Sequence, residues 1–307
     1  GAKVTSIARC GTGKFKLTCT SPNSESGRSQ SAPLFVSATS LLLATGSSSH
    51  HLAKDLGHEI SPLIPSLFSF RLSSGGMLDS SLAGVSVPDA ELTLECMRVA
   101  NPAEEDAENS ATPSPPPRKR KGKRGGGTSQ VLSARGPLLV THRGVSGPAA
   151  LRLSAFGAHE LAEAKYRGIL RLNLAPNYSV DEANSAIESC KSRTDTRLKQ
   201  VGTVNPFGLP RRLWAAVVSA SMVDPSKRWD TVKKSELAQL QRAVQASPLE
   251  FSGKDSNKEE FVTAGGVSWS GVDSRTMSSR SVPGLFFAGE LLDVDGVTGG
   301  HNFQSCW

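Results

Sequence analysis

Glu290, Asp293 and Asp295 place three carboxylates within six residues, directly after Gly289. Gly296, Gly299 and Gly300 follow, and then His301, Asn302 and Gln304, polar side chains suited to opening a helix. Ahead of them the apolar run 285–288 fits a short buried strand. A strand that ends in an acidic, Gly-rich turn and feeds a helix is how open α/β sheets bind nucleotides. The ligand then sits beyond the strand's carboxyl end, facing backbone N–H groups and the helix dipole. Gly and Asp equally favour an ordinary surface turn, and composition alone leaves both readings open.

A second stretch has the same form. LLLATG at 41–46 reads as a buried strand delivering a Gly turn through Thr45 and Gly46. A third, EEFVTAGGV at 259–267, returns to strand and Gly turn with Gly265 and Gly266. The GTGK at 11–14 is no phosphate loop: position 8 is Ala8, Lys14 precedes Phe15, and strand-like sequence stands where a helix is required. It reads as the turn of a hairpin between 3–8 and 14–20. His50, His51 and His58 form the only His cluster; the adjacent pair cannot share one face of a regular element. They read as exposed loop and helix positions, not metal ligands.

The elements around these stretches suggest an α/β protein with an insertion. Strands are predicted at 34–36, 62–72, 85–99, 132–141 and 168–174, the second and third belonging to another sheet. Ser146 is a candidate N-cap, with Pro148 in the first turn of a helix running to about 163. Ser179 and Glu182 form a capping box for a helix toward Lys191. Helices at 210–222 and 235–245 carry Trp214, Val217, Val218 and Leu237, Leu240, Val244 on single faces. Arg211, Arg212, Lys227, Lys233 and Lys234 at their edges read as a solvated face. The Ser-rich stretch 21–31 reads as a hairpin loop or disordered insertion.

Charge excludes less than it first suggests. The formal net charge is +7, but 101–127 holds six bases and four acids and so contributes +2. The remaining mild excess does not argue for a nucleic-acid-binding fold. The run itself, acidic then Pro-rich then basic then triple Gly, reads as a disordered loop. Its basic part, 118–124, leaves a nuclear or RNA-associated role as the alternative to a solvated insertion. Five dispersed cysteines without a C-x-x-C pair predict a reducing intracellular compartment and no zinc site. No apolar run has the length of a membrane span, and the organelle is not readable.

Three stretches together carry a family resemblance: GPLLVTHRGVSGPAALRLS, EEFVTAGGVSWSGVDSRTMSSRSVPGLFFAGELLDVDG and VTGGHNFQSCW. With LLLATGSSS and GHEISPLIPSL in the right order, they resemble the BaiN-like NAD(P)/FAD-dependent oxidoreductases, also called the aminoacetone oxidase family. The resemblance implies an FAD-binding Rossmann-like domain interrupted by an inserted β-barrel-like plus helical domain. It assigns 1–66 and 258–307 to the FAD-binding part. The insertion is 67–257, its β part 67–175 with the loop 101–127 and its helical part 178–246.

By position, the resemblance puts Thr45 and Gly46 near the adenine or pyrophosphate side of FAD. Gly289, Glu290 and Asp293 would hold the ribityl and phosphate end, a carboxylate accepting hydroxyl hydrogen bonds. Gly299, Gly300, His301, Asn302 and Gln304 would approach the flavin ring, and Gly265 and Gly266 would be cofactor-adjacent. His142 is the candidate acid/base residue, read as lying beside a helix N-terminus. The implied activity is hydride transfer through FAD with a small-molecule substrate, NAD(P)H serving as co-substrate. The family opens with a G-x-G-x-x-G unit that this chain does not supply, and positions 47 and 301 are Ser and His instead of Gly and an aromatic. The resemblance therefore implies a fragment carrying the flavin end of the site, able to bind FAD weakly or not at all, with a non-catalytic remnant of that fold as the alternative.

Overall fold

The computed structural model describes residues 2–11, 13–20, 33–96, 132–255, 262–297 and 299–306. The predicted loops at 21–31 and 101–127 lie outside the described residues. The chain divides into two compact units, Gly1–Leu67 with Asn257–Trp307, and Phe68–Ser256.

The first unit begins with β1 (Lys3–Arg9) and β2 (Phe15–Thr20), an antiparallel hairpin to which β3 (Leu34–Ala38) adds. Gly11, Gly13 and Lys14 lie between the two strands, where Gly13 N–H donates to the Cys10 carbonyl at 2.9 Å, with Gly13 at φ +76°. Next come β4 (Leu41–Leu43), the short helix α1 (His50–Asp55) and β5 (Ile60–Ser66).

The second unit contributes β6 (Phe70–Leu72), β7 (Ser86–Cys96), β8 (Leu132–Val140) and β9 (Gly144–Ser146). Helices α2 (Pro148–Phe156) and α3 (Ala158–Glu163) lead to β10 (Gly168–Asn173). Helices α4 (Val180–Ser192), α5 (Arg211–Ala220) and α6 (Lys234–Gln245) and strand β11 (Ser247–Lys254) complete it. The chain then returns to the first unit through β12 (Val262–Val267), β13 (Val272–Asp273), β14 (Ser278–Ser279), β15 (Leu285–Phe287) and α7 (Gly299–Cys306).

In the second unit six strands close a barrel in the order β10-β11-β6-β9-β8-β7. Period-two alternation turns Leu92 and Leu94, Ala134 and Leu138, Leu170 and Leu172 inward, where they are buried. Phe70 and Phe251 pack edge to face at 5.2 Å among them. Beside the barrel, α4 starts at the predicted capping box: Glu182 N–H donates to Ser179 Oγ, and Ser179 N–H to Glu182 Oε2 at 2.8 Å. Trp214 of α5 is buried and donates from Nε1 to the Val201 carbonyl at 2.9 Å. The predicted apolar faces of α5 and α6 are the buried ones.

Several local expectations are corrected. The segment 62–72 is not one strand: Leu67 at φ +57° breaks it, sending β5 to the first unit and β6 to the barrel. Ser146 ends β9 and is no N-cap; Gly147 caps α2, and Gly157 divides the predicted long helix. The LLL strand β4 is not wholly buried, because it lies at the end of its sheet: Leu43 is 4% exposed and Leu42 58%. Lys227 is not on a solvated face but half-buried against Glu236 at 2.8 Å.

Candidate functional site

The acidic turn and the Thr-Gly turn leave the same end of one strand pair. β15 runs parallel to β4 with Leu285, Phe286 and Phe287 opposite Leu41, Leu42 and Leu43. Ala288 N–H then donates to the Leu43 carbonyl at 3.0 Å. In a parallel pair both carboxyl ends face the same way, so 44–46 and 288–290 emerge side by side. Gly46 and Gly289 have φ of +63° and +76°, and a Cβ at either would meet no described atom within 4 Å. Thr45 Oγ donates to the Ser48 carbonyl at 2.8 Å while Ser48 Oγ donates to the Thr45 carbonyl at 2.9 Å, which holds the first turn.

The second turn is a 3-10 segment, Gly289–Leu291, anchored by the buried Leu291 and Leu292. Asp293 is held through its backbone on both sides. Its N–H donates to the Val267 carbonyl at 3.1 Å, and Trp269 Nε1 donates to its carbonyl at 2.9 Å. Asp295 Oδ2 accepts from Ser66 Oγ at 3.0 Å. The three carboxylates therefore differ. Asp295 has an internal donor, whereas the half-buried Glu290 and Asp293 have no side-chain partner among the described residues. No group of three metal-ligating side chains converges among the described residues.

The other predicted site residues divide by what their neighbours occupy. A Cβ on Gly265 would lie 2.1 Å from the Pro62 carbonyl oxygen, and one on Gly266 would lie 2.6 Å from the Leu291 and Leu292 carbonyls. Both glycines sit inside β12, at its bulge against β5, and not in a turn after the strand. Close backbone packing accounts for them. Gly299 and Gly300 open α7. Asn302 is buried, its Oδ1 accepting from Gly296 N–H and its Nδ2 donating to the Gly296 carbonyl. His301 and Gln304 are exposed on the same helix, beside Phe303 at 74% exposure.

His142 lies in the second unit, exposed in the β8–β9 hairpin turn. Strand β9 separates it from α2, so it does not stand beside the helix N-terminus. The His cluster is also corrected: His51 is exposed, but His50 and His58 are 7% and 5% exposed. Ser279 Oγ accepts from the Val282 and Ser281 N–H groups and lies 2.8 Å from His58 Nε2. Burial lowers the pKa of both His50 and His58, the Ala53 carbonyl acting in the opposite sense on His58. Sequence reasoning missed Ser66, Trp269 and Phe303. The first two reach the turn across long sequence separations and leave no local signal; Phe303 is a large apolar residue between polar ones.

Residues 127–262, which hold β8 to β11 and α2 to α6, match the family described as HI0933-like protein barrel and H2TH domain. The ribosomal RNA dihydrouridine synthase of Escherichia coli K12 is 33% identical over 171 residues, covering 55% of this chain and 39% of that protein. Its namesake from Haemophilus influenzae is 31% identical over 170 residues, with the same two coverages. The 3-dehydro-bile acid delta(4,6)-reductase of Clostridium scindens is 24% identical over 266 residues, covering 86% of this chain and 56% of that protein. The chain thus spans 39% to 56% of the length of these curated relatives. The chain carries the HI0933-like barrel and H2TH domain, and the closed six-stranded barrel with its helices is that inserted part. That domain match agrees with the resemblance of its motifs to the BaiN-like and aminoacetone-oxidase-like enzymes.

Proposed function

We propose that this chain belongs to an FAD-dependent reductase that adds hydride to a carbon–carbon double bond conjugated to a carbonyl. The observation that carries the reading is the shared end of β4 and β15, where two open glycine turns meet two half-buried, unpartnered carboxylates. The carboxyl end of parallel strands is where open α/β sheets receive a dinucleotide, which supports the reading. Glu290 and Asp293 suit the hydroxyls of a ribose or ribityl chain, since ionised carboxylates only accept. Gly46 and Gly289 leave room for a cofactor backbone to approach. FAD, when bound, supplies the hydride-transfer chemistry.

The relatives narrow the reaction class. Dihydrouridine is uridine with two hydrogens added across a ring double bond, and a delta(4,6)-reductase acts on double bonds. In uridine, and in a 3-oxo compound carrying double bonds at positions 4 and 6, the unsaturation is conjugated to a carbonyl, which makes the terminal carbon electrophilic toward hydride. NAD(P)H fits as the source of the electrons. His142 stays a candidate proton donor only as an exposed turn residue.

The test uses the full-length protein. Purified with FAD and supplied with NADPH, it should retain visible flavin absorbance and oxidise NADPH on addition of an enone or of uridine-containing RNA. The product should gain two hydrogens by mass spectrometry. A protein that retains flavin but reduces only carbonyls, or that binds none, would overturn the reading.

A further inference from the structure

The second unit contains a cleft of about 780 Å³ bordered by the loop at 75–82, β10 and helices α5 and α6. Three guanidinium groups line it, from Arg171, Arg212 and Arg242, against a single carboxylate, Asp79. We infer that this cleft binds a phosphate ester, either the backbone of a nucleic-acid strand or a free nucleotide.

The charges of the lining do not cancel internally. Asp79 accepts from the Ser81 N–H at 2.8 Å as the cap of a 3-10 turn, which lowers its pKa and keeps it ionised. Arg171 is half-buried and uses Nε on Glu95 at 3.0 Å, leaving its terminal nitrogens outside that contact. Arg242 donates only to the Ala238 carbonyl, and Arg212 has no partner among the described residues. Arg212 also stands in the first turn of α5 beside Arg211, with no acidic residue in that turn. Cations there oppose the helix dipole, so Arg212 does not serve the helix; a bound anion would relieve the repulsion.

Space and chemistry agree with this ligand. Gly75 and Gly76 border the cleft with nothing within 4 Å of either Cβ position, so the backbone there is open to close approach. The volume lies in the range of sites that hold a nucleotide-sized ligand. Forked guanidinium donors match phosphate oxygens in pairs, which a carboxylate-neutralised surface arginine would not offer. The inference rests on the Phe68–Ser256 unit alone and does not depend on the flavin reading.

Fluorescence anisotropy of the full chain with a labelled single-stranded oligouridylate, at several salt concentrations, tests it. The double variant Arg212→Gln/Arg242→Gln should bind about tenfold more weakly, with a salt slope smaller by about 1.4. A chain lacking 117–125 should keep the effect of the double change. Inorganic pyrophosphate that fully displaces the oligonucleotide assigns the cleft to free phosphate esters; failure to displace assigns it to the strand backbone. Absence of binding, an unchanged double variant, or binding lost wholly with 117–125 overturns the inference. If the double variant unfolds, Arg212→Gln alone decides: unchanged affinity and slope also overturn it.

Discussion

Asn302 holds Gly296 from both directions, accepting its N–H at Oδ1 (2.8 Å) and donating from Nδ2 to its carbonyl (2.9 Å). The buried amide therefore ties the first turn of α7 to the end of the acidic turn and acts as a positioning residue. Replacing it by Ala strands two backbone groups, each worth about 1–3 kcal/mol when left unsatisfied and buried. Asn302→Ala should lower the urea midpoint, and Asn302→Asp, which keeps only the acceptor, should fall between. Equal stability of all three proteins would remove the clamp.

Glu290 and Asp293 should behave in the opposite way. Neither carboxylate has a side-chain partner among the described residues, so Glu290→Gln and Asp293→Asn should leave thermal unfolding almost unchanged. In the full-length protein each should weaken flavin retention about tenfold or more, since a hydrogen bond to a charged group contributes about 1.5–3 kcal/mol. Flavin release on dilution, followed by fluorescence, measures it.

The glycines separate packing from binding. Gly265→Ala forces a Cβ to within 2.1 Å of the Pro62 carbonyl oxygen and should prevent folding of the first unit. Gly289→Ala meets nothing within 4 Å and should cost only the left-handed backbone strain, about 1–2 kcal/mol. Circular dichroism melts of both variants distinguish the two cases.

Trp269 Nε1 donates to the Asp293 carbonyl at 2.9 Å. Trp269→Phe keeps the ring's packing and removes that donor, with an expected loss of about 1 kcal/mol. Faster hydrogen exchange localised to 290–296, against unchanged exchange in the barrel, is the signature to look for.

Stability should fall on acidification because of His58 and His50. Burial lowers their folded-state pKa, so the unfolded chain takes up protons first. This contribution is fully present above the ordinary His pKa of about 6.5 and is lost progressively as pH drops below it. Urea midpoints measured between about pH 8 and about pH 5 should decline less in His58→Gln than in the parent.

The amino-acid sequence alone determined what depends on neighbours a few residues apart. Ser179 and Glu182 cap α4, Trp214 and Val218 share one face of α5, and the alternation of Leu92 and Leu94 marks a barrel strand. Its motifs also sufficed for the family resemblance that the match over 127–262 bears out. Tertiary structure alone decided which residues serve the turn at 289–296. Ser66 lies 229 residues from Asp295, and His58 lies 221 from Ser279. The register of β15 on β4 crosses the whole inserted unit. Contacts closed over such distances leave no periodicity in the chain. Gly265 and Gly266 looked like ligand glycines for the same reason: a missing Cβ suits a cofactor or a neighbouring strand equally well, and only the fold places the Pro62 carbonyl in that space.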